Sequence, residues 1–373
     1  MEPKQRVLSL DPAGLLWGSE RALLDFIGGI PGFESACCCP PNSPLIAQLK
    51  VRNVGCFPSF QANLHLRGTG ARVLALGGLL RALWAYRPGV LHVNQAGATR
   101  IALLACRIFG IPCVAHVRLQ EDVEYLNRLR PKPKYLKQLV AISQPIADLI
   151  KTQPNLKAIP CAMLLDAYCP KSETGGDAVL TSREPAKWDF LCVGRICDPK
   201  GQEILIRAMQ ILRQGGNSPK VVFVGEINDY GRKLQNLVKE LALEATVEFA
   251  GHRDDVFGIM DAAKWLVCPS YFESLGRVLF EAWDAGIPVV VGKFSGGAAA
   301  SVNASGGGLL FGEWTPISLA ATLGKALATD SSEAEQMTKK GRVWMAQATN
   351  PIRYVESMSG ILRNAIHSFK SKA

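Results

Sequence analysis

Short apolar runs alternate with amphipathic stretches along most of the chain. The runs span four to seven residues and are rich in Val, Leu, Ile and Cys, as buried strands are; the stretches between them repeat apolar side chains at helical spacing. Strands are predicted over Arg6–Leu10, Glu34–Cys39, Val90–Asn94, Cys113–Val117 and Leu139–Ile142. Helices are predicted over about Ser19–Ile27, Ala98–Phe109 and Gln144–Lys151, with Gly110-Ile111-Pro112 ending the second of these. A polar stretch rich in Gly, Ser and Thr follows, and then the rhythm restarts. Strands at Trp188–Gly194, Lys220–Gly225, Val247–Ala250, Trp265–Pro269 and Pro288–Gly292 alternate with helices at Gly201–Gln214, Arg232–Leu241, Asp254–Ala262 and Leu275–Ala285. Such alternation predicts parallel sheets covered by helices.

The restart divides the chain. Residues 1–165 form one expected α/β domain, 166–187 a linker, 188–345 a second α/β domain, and 346–373 a C-terminal helix that crosses back to the first domain. Two such domains are expected to face each other across a cleft, with ligands at the carboxyl ends of the strands.

Composition narrows the class. With 373 residues, 48% apolar and 20% charged, the chain is globular and large enough to bury a core without disulfides or metals. The longest apolar runs, residues 73–80 and 286–292, fall well short of the ~20 residues that cross a bilayer. The first residues, Met1 to Val7, contain no apolar segment of the export-signal type. The expected location is the cytoplasm, including the inner surface of the cytoplasmic membrane. The eleven cysteines contain no C-x-x-C pair and read as buried thiols.

Charge adds a partner class. Of the net charge of +10, residues 1–170 carry +9, and no acidic residue occurs between Glu34 and Glu121. A one-sided cationic excess points to an anionic partner such as phospholipid or a phosphorylated glycan; the other reading is a solvated basic face. Aromatic residues do not interleave with the basic stretch as they do in nucleic-acid grooves, so nucleic acid is excluded. The stretch from Arg67 to Tyr86 reads as an amphipathic helix, with Leu76, Leu79, Leu80, Leu83 and Trp84 opposed by Arg72 and Arg81, a pattern that suits either a lipid interface or packing on its own sheet. Residues 128–137 add five cations suited to lipid headgroups.

The densest candidate chemistry lies at residues 269–291, where a strand gives way to a helix expected to open near Ser274. The N–H groups of Ser274, Leu275 and Gly276 would there suit a phosphate, Gly276 leaving room for close approach. Glu273 and Glu281, eight residues apart, would lie about 12 Å apart along a helix and suit hydroxyl groups at two points of a sugar nucleotide. Upstream, Arg195 leaves the end of a strand and Lys200 follows one loop later; an arginine fork and a lysine point charge converging there suit a diphosphate.

These residues resemble the retaining GT-B glycosyltransferases of the group-1 (fourth) family. The match rests on Glu273, seven residues, Glu281, then Ala282 and Gly286-Ile287-Pro288-Val289-Val290, and on Gly194-Arg195 followed by Lys200-Gly201. The resemblance implies a fold of two Rossmann-like domains facing across a cleft and a nucleoside-diphosphate-sugar donor. Transfer to a glycan or lipid-linked acceptor, as in lipopolysaccharide or exopolysaccharide assembly, would keep the anomeric configuration. It implies that Arg195 and Lys200 neutralise the departing diphosphate, that Glu273 orients the sugar and Glu281 the ribose, and that no cofactor or metal is required. The loop Leu15 to Arg21 resembles the family's Gly-Gly-Ala-Glu-Arg loop, of which Gly18 is retained, so Gly18 is a donor-binding candidate. Residues 112–118 resemble the strand that ends at a cleft histidine. His116 lies four residues after Pro112, while the usual position, six after it, holds Arg118, and both are candidates. Two departures stand out: Ala300 where the family has Glu, and Pro160-Cys161-Ala162 where it has Pro-Asn-Gly. The alternatives are another GT-B nucleotide-sugar enzyme, a hydrolase or epimerase, and a non-catalytic sugar-nucleotide-binding protein.

Overall fold

A computed structural model describes residues 4–59, 69–170, 186–253 and 255–371. Arg67, Asp254 and most of the expected linker, residues 171–185, lie outside the described residues. The chain forms two compact units, residues 1–169 with 349–373 and residues 170–348.

The first unit is built on strands β1 (Gln5–Leu10), β2 (Phe33–Cys39), β3 (Gly55–Pro58), β4 (Val90–Val93), β5 (Cys113–Val117), β6 (Leu136–Ala141) and β7 (Cys161–Met163). All pair in parallel, in the order β3-β2-β1-β4-β5-β6-β7. Helices α1 (Gly18–Leu24), α2 (Pro44–Val51), α3 (Thr69–Tyr86), α4 (Thr99–Phe109), α5 (Gln120–Leu129) and α6 (Gln144–Thr152) connect them. The central strands are apolar almost throughout, because a parallel sheet is covered on both faces. Four elements go beyond the sequence reading, α2, β3, α5 and β7. Two of them are short strands towards the sheet's edges, and α5 is too polar for its apolar spacing to stand out.

The second unit repeats the plan with β8 (Trp188–Val193), α7 (Gln202–Gln214), β9 (Val221–Val224), α8 (Asp229–Glu240), β10 (Val247–Gly251), α9 (Val256–Asp261), β11 (Ala263–Cys268), α10 (Arg277–Asp284), β12 (Val289–Gly292), α11 (Gly296–Ser305), β13 (Gly308–Phe311), α12 (Pro316–Ala328) and α13 (Ser331–Ala348). Its parallel sheet runs β10-β9-β8-β11-β12-β13. The core joins Phe190, Phe223, Trp265 and Phe311 of the sheet to Leu205 and Met209 of α7 and Leu319 of α12. Each unit is therefore Rossmann-like, and the fold is of the GT-B class. In each sheet the strand order reverses once, between β1 and β4 and between β8 and β11, and such reversals are where open α/β sheets bind ligands.

The last helix, α14 (Pro351–Lys370), returns to the first unit and lies on β4, β5 and β6. Asn350 caps it, its side chain accepting the Arg353 N–H at 3.1 Å, and Pro351 opens the first turn. Tyr354, Met358 and Leu362 enter the first unit's core beside Phe26 and Leu45. Asp166, Ala167 and Tyr168, expected as the start of a linker, are instead buried. The Tyr168 N–H donates to the Thr349 carbonyl at 3.1 Å, tying the end of one segment to the start of the other.

The structure sorts two surface readings. In α3 the sheet-facing side holds Ala75, Leu79, Ala82, Leu83 and Tyr86, so Leu79 and Leu83 are core residues, while Trp84 stays exposed. Of the basic run at 128–137, the Lys137 ammonium donates to the Ser368 carbonyl at 3.1 Å and so anchors α14.

Candidate active site

Loops at the carboxyl ends of β8, β11 and β12 meet at the reversal point of the second sheet. The loop after β8 carries Arg195, which is exposed, and a single 3-10 turn, Asp198–Lys200, ending at Gly201. Gly201 has φ +71°, and a Cβ there would lie 2.2 Å from the Pro269 carbonyl oxygen. Only glycine lets these two loops approach so closely. Further bonds fix the contact: the Tyr271 N–H donates to the Pro199 carbonyl at 2.9 Å, and the Trp314 indole N–H to the Pro269 carbonyl at 2.8 Å. The segment after the third loop joins at the start of α11 through the Gly297 N–H, which donates to the Glu273 carbonyl at 2.8 Å.

This packing brings Lys200 and Glu273 together. Their side chains form an ion pair between Nζ and Oε1, and the buried Ser270 hydroxyl donates to the same oxygen at 2.8 Å. Burial works against the Lys200 charge, but the Glu273 carboxylate outweighs it and holds the ammonium above its ordinary range. Near the ends of β8 and β11, burial pushes up the thiols of Cys192 and Cys268, Cys268 to about 11, so both are uncharged at neutral pH. Two buried polar atoms nearby in the chain, Gln202 Oε1 and Ser295 Oγ, have no partner among the described residues.

The helix start differs from expectation. α10 begins at Arg277, so Glu273, Ser274 and Leu275 lie in the preceding loop, with Ser274 and Leu275 buried. The N–H groups of the first turn belong to Arg277 and Val278, and helical arithmetic does not apply between Glu273 and Glu281. Gly276, at φ +77°, is the residue before the helix, and a Cβ there would lie 2.9 Å from the Ala298 Cβ. Its lack of a side chain serves the packing of α10 against α11. Glu281 is half-buried on α10. Ala300 lies within α11.

The first unit places a buried polar network at its own reversal point. Asp11, just past β1, accepts the Gly14 N–H at 2.7 Å and the Asn94 amide at 2.7 Å. Arg118, just past β5, donates to the Asn94 carbonyl and side-chain oxygen, each at 2.9 Å, and to Asp166 at 2.5 Å. Arg118 and Asp166 are almost wholly buried, and Asp166 Oδ1 has no partner among the described residues. Glu20 accepts from Gln95 at 2.6 Å. Burial pushes Asp11 up against its N–H and amide donors; Glu20 is pushed up by burial and then by Asp11. Gly18 is the first residue of α1, two positions before Glu20.

His116 does not reach this network. It is fully buried in β5, with His92 Nε2 at 2.7 Å from Nδ1 and the Tyr354 hydroxyl at 2.9 Å from Nε2. Ser9 Oγ bridges to the far nitrogen of His92 at 3.0 Å. This is a satisfied internal chain from β1 to α14, so of the two candidates Arg118 holds the strand-end position and His116 is a core residue. The sequence reading missed Asp11, Asn94, Gln95 and Asp166; the signal for each is a polar residue within a few positions of the end of an apolar strand. Among the described residues, no group of three or more His, Cys, Asp or Glu converges to hold a metal ion.

Residues 181–344 match the family model of the glycosyl transferases group 1. The chain is similar to D-inositol 3-phosphate glycosyltransferase of Corynebacterium jeikeium (strain K411), at 31% identity over 272 residues, 68% of this chain and 62% of that one. It is also similar to UDP-Gal:alpha-D-GlcNAc-diphosphoundecaprenol alpha-1,3-galactosyltransferase of Escherichia coli, at 24% identity over 310 residues, 76% of this chain and 78% of that one. The crystal structure of Anabaena Alr3699/HepE in complex with UDP and glucose shares the fold, with a TM-score of 0.77 and 19% identity over 96% of this chain and 99% of that one. The chain spans less than two thirds of the inositol-phosphate relatives it matches, 62%, 63% and 56% of their lengths.

Proposed function

We propose that this chain is a group-1 glycosyltransferase, moving a sugar from a nucleoside-diphosphate sugar to a hydroxyl of a glycan or lipid-linked acceptor with the anomeric configuration retained. The observation that carries this reading is the Lys200–Glu273 pair at the reversal point of the second sheet, inside the segment that matches the family. A carboxylate holding the lysine in place before the donor arrives gives a preorganised positive charge, which needs no rearrangement as the diphosphate leaves. In this reading Lys200 and the exposed Arg195 neutralise the leaving group, Glu273 orients sugar hydroxyls and Glu281 meets the ribose. The acceptor oxygen bonds to the anomeric carbon as the carbon–oxygen bond to the diphosphate breaks, and the hydroxyl proton passes to the departing phosphate oxygen on the same face. No metal is required, because the chain supplies the cations. The similar Escherichia coli galactosyltransferase acts on a diphosphoundecaprenol-linked sugar, which supports a lipid-linked acceptor, and likeness to the lipopolysaccharide glucosyltransferase WaaG of Escherichia coli (strain K12) supports a role in lipopolysaccharide or exopolysaccharide assembly.

The donor is found by a thermal-shift screen of UDP, GDP, ADP and their sugars; a ligand at about 100 times its Kd stabilises the folded state by about 2.7 kcal/mol. With that donor, Lys200→Ala lowers turnover by about 100-fold or more, the usual scale for losing one preorganised electrostatic partner, while its circular dichroism matches the wild type. Unchanged nucleotide release in a folded Lys200→Ala variant removes the diphosphate assignment. Sugar release at the same rate without acceptor makes the chain a hydrolase.

A further inference from the structure

We infer that the outer face of α3 and α4 is a docking surface for an anionic lipid bilayer. α3 is apolar nearly all round, yet only one side meets the sheet. Its other side leaves Val73, Leu74 and Trp84 exposed at 64%, 66% and 69%, with Arg81 between them. At 100° per residue, Val73, Gly77, Arg81 and Trp84 share one stripe, opposite Ala75, Leu79, Ala82 and Tyr86 in the core. A helix apolar on both sides has a second partner to find.

α4 extends the face. The two helices pack side by side. The outer side of α4 shows Arg100, Leu104, Arg107 and Ile108, the two apolar residues 47% and 64% exposed. Exposed apolar groups thus alternate with arginines along two adjacent helices, and no acidic residue occurs from 35 to 120.

This charge pattern selects the occupant. A second copy of the chain packed face to face would set arginine against arginine. A bilayer surface offers anionic headgroups to the guanidinium groups and acyl chains to the side chains between them, with Trp84 at the boundary where indoles concentrate. The arginine stems lie along the apolar layer while their heads reach the phosphates. Among the described residues no helix is long and apolar enough to cross a membrane, so the contact is interfacial. The inference does not depend on the proposed activity.

The test is flotation of the full chain with vesicles of phosphatidylcholine alone or with 30 mol% phosphatidylglycerol (about a third anionic lipid), at low and high salt. The chain floats with the anionic vesicles, and salt weakens the binding. The double variant Leu74→Ser/Trp84→Ser, at solvent-facing positions and checked for native circular dichroism, lowers the vesicle partition coefficient at least about tenfold. The variant Arg81→Ser/Arg107→Ser lowers it by about fivefold per arginine. No flotation at low salt overturns the inference, as does binding that neither variant weakens. Concentration-dependent dimerisation that Trp84→Ser abolishes, without vesicle binding, overturns it in favour of a second copy.

Discussion

At the scale of single residues, the candidate site depends on close approach as much as on charge. Lys200 and Glu273 stand out in the sequence because cations and carboxylates near strand ends carry chemistry. Gly201 stands out only as punctuation, yet its position decides whether the pair forms. Its backbone is left-handed and the space where a Cβ would stand is filled by a backbone carbonyl, which has no flexible end to swing aside. Gly201→Ala therefore loses about 1–2 kcal/mol from the conformation alone, and more from separating the two loops. A lower melting temperature together with lost donor binding is expected; a variant that melts and binds like the wild type shows that the loops tolerate the gap. The spacing from Glu273 to Glu281 illustrates the opposite case. Eight residues invite a helical reading, but Gly276 delays the helix and Glu273 is held by Ser270 of its own loop and by Gly297 at the start of α11.

At the scale of elements, the legible ones were long, strongly periodic or apolar throughout. β5 matches its expected range of Cys113–Val117, and α14 was expected from Val355, Ile361, Leu362 and Ile366. The elements left unread, among them α2, β3, α11 and β13, are short, peripheral or opened by glycine pairs, and tertiary contacts decide such segments. α14 shows how much one element can hold. Its Tyr354 closes the buried chain from Ser9 through His92 and His116, and Met358 fills the core beside it. Tyr354→Phe leaves a buried imidazole nitrogen without its partner, a loss of about 1–3 kcal/mol. Met358→Ala loses about 2–5 kcal/mol through the cavity it leaves. Urea denaturation followed by tryptophan fluorescence measures both, and equal, negligible losses mean that α14 does not support the first unit.

At the scale of the whole molecule, pH connects this buried chain to stability. Burial, helped by the Arg118 charge, holds His92 down to about 3, and burial first, then Arg118 and His92, holds His116 well below the usual 6.5. Unfolded imidazoles take up a proton below about 6.5, while the native ones stay neutral, so the unfolded state binds more protons. Stability is thus fully present above pH 6.5 and falls on acidification, by about 1.4 kcal/mol per pH unit for each histidine, down towards the native values. Asp11, Glu20 and Asp122, all raised by burial, act in the opposite sense: they favour the native state at low pH and lose that contribution as pH rises. The histidine share is isolated by comparing the melting temperatures of the wild type and His92→Gln between pH 7 and pH 4.5 (about two units across the imidazole range); a slope that the variant leaves unchanged assigns the acid sensitivity elsewhere. The sequence by itself determined the two-fold α/β rhythm, the cationic first half and the residue types of the loops that carry Arg195, Lys200 and Glu273, because periodicity, charge and chemical identity are local properties. Only tertiary structure decided that His116 is interior and Arg118 the hub of a network with Asn94 and Asp166, and that α3 turns Trp84 outward. Those outcomes depend on which strands become neighbours and which faces they cover, and no window of sequence contains both partners.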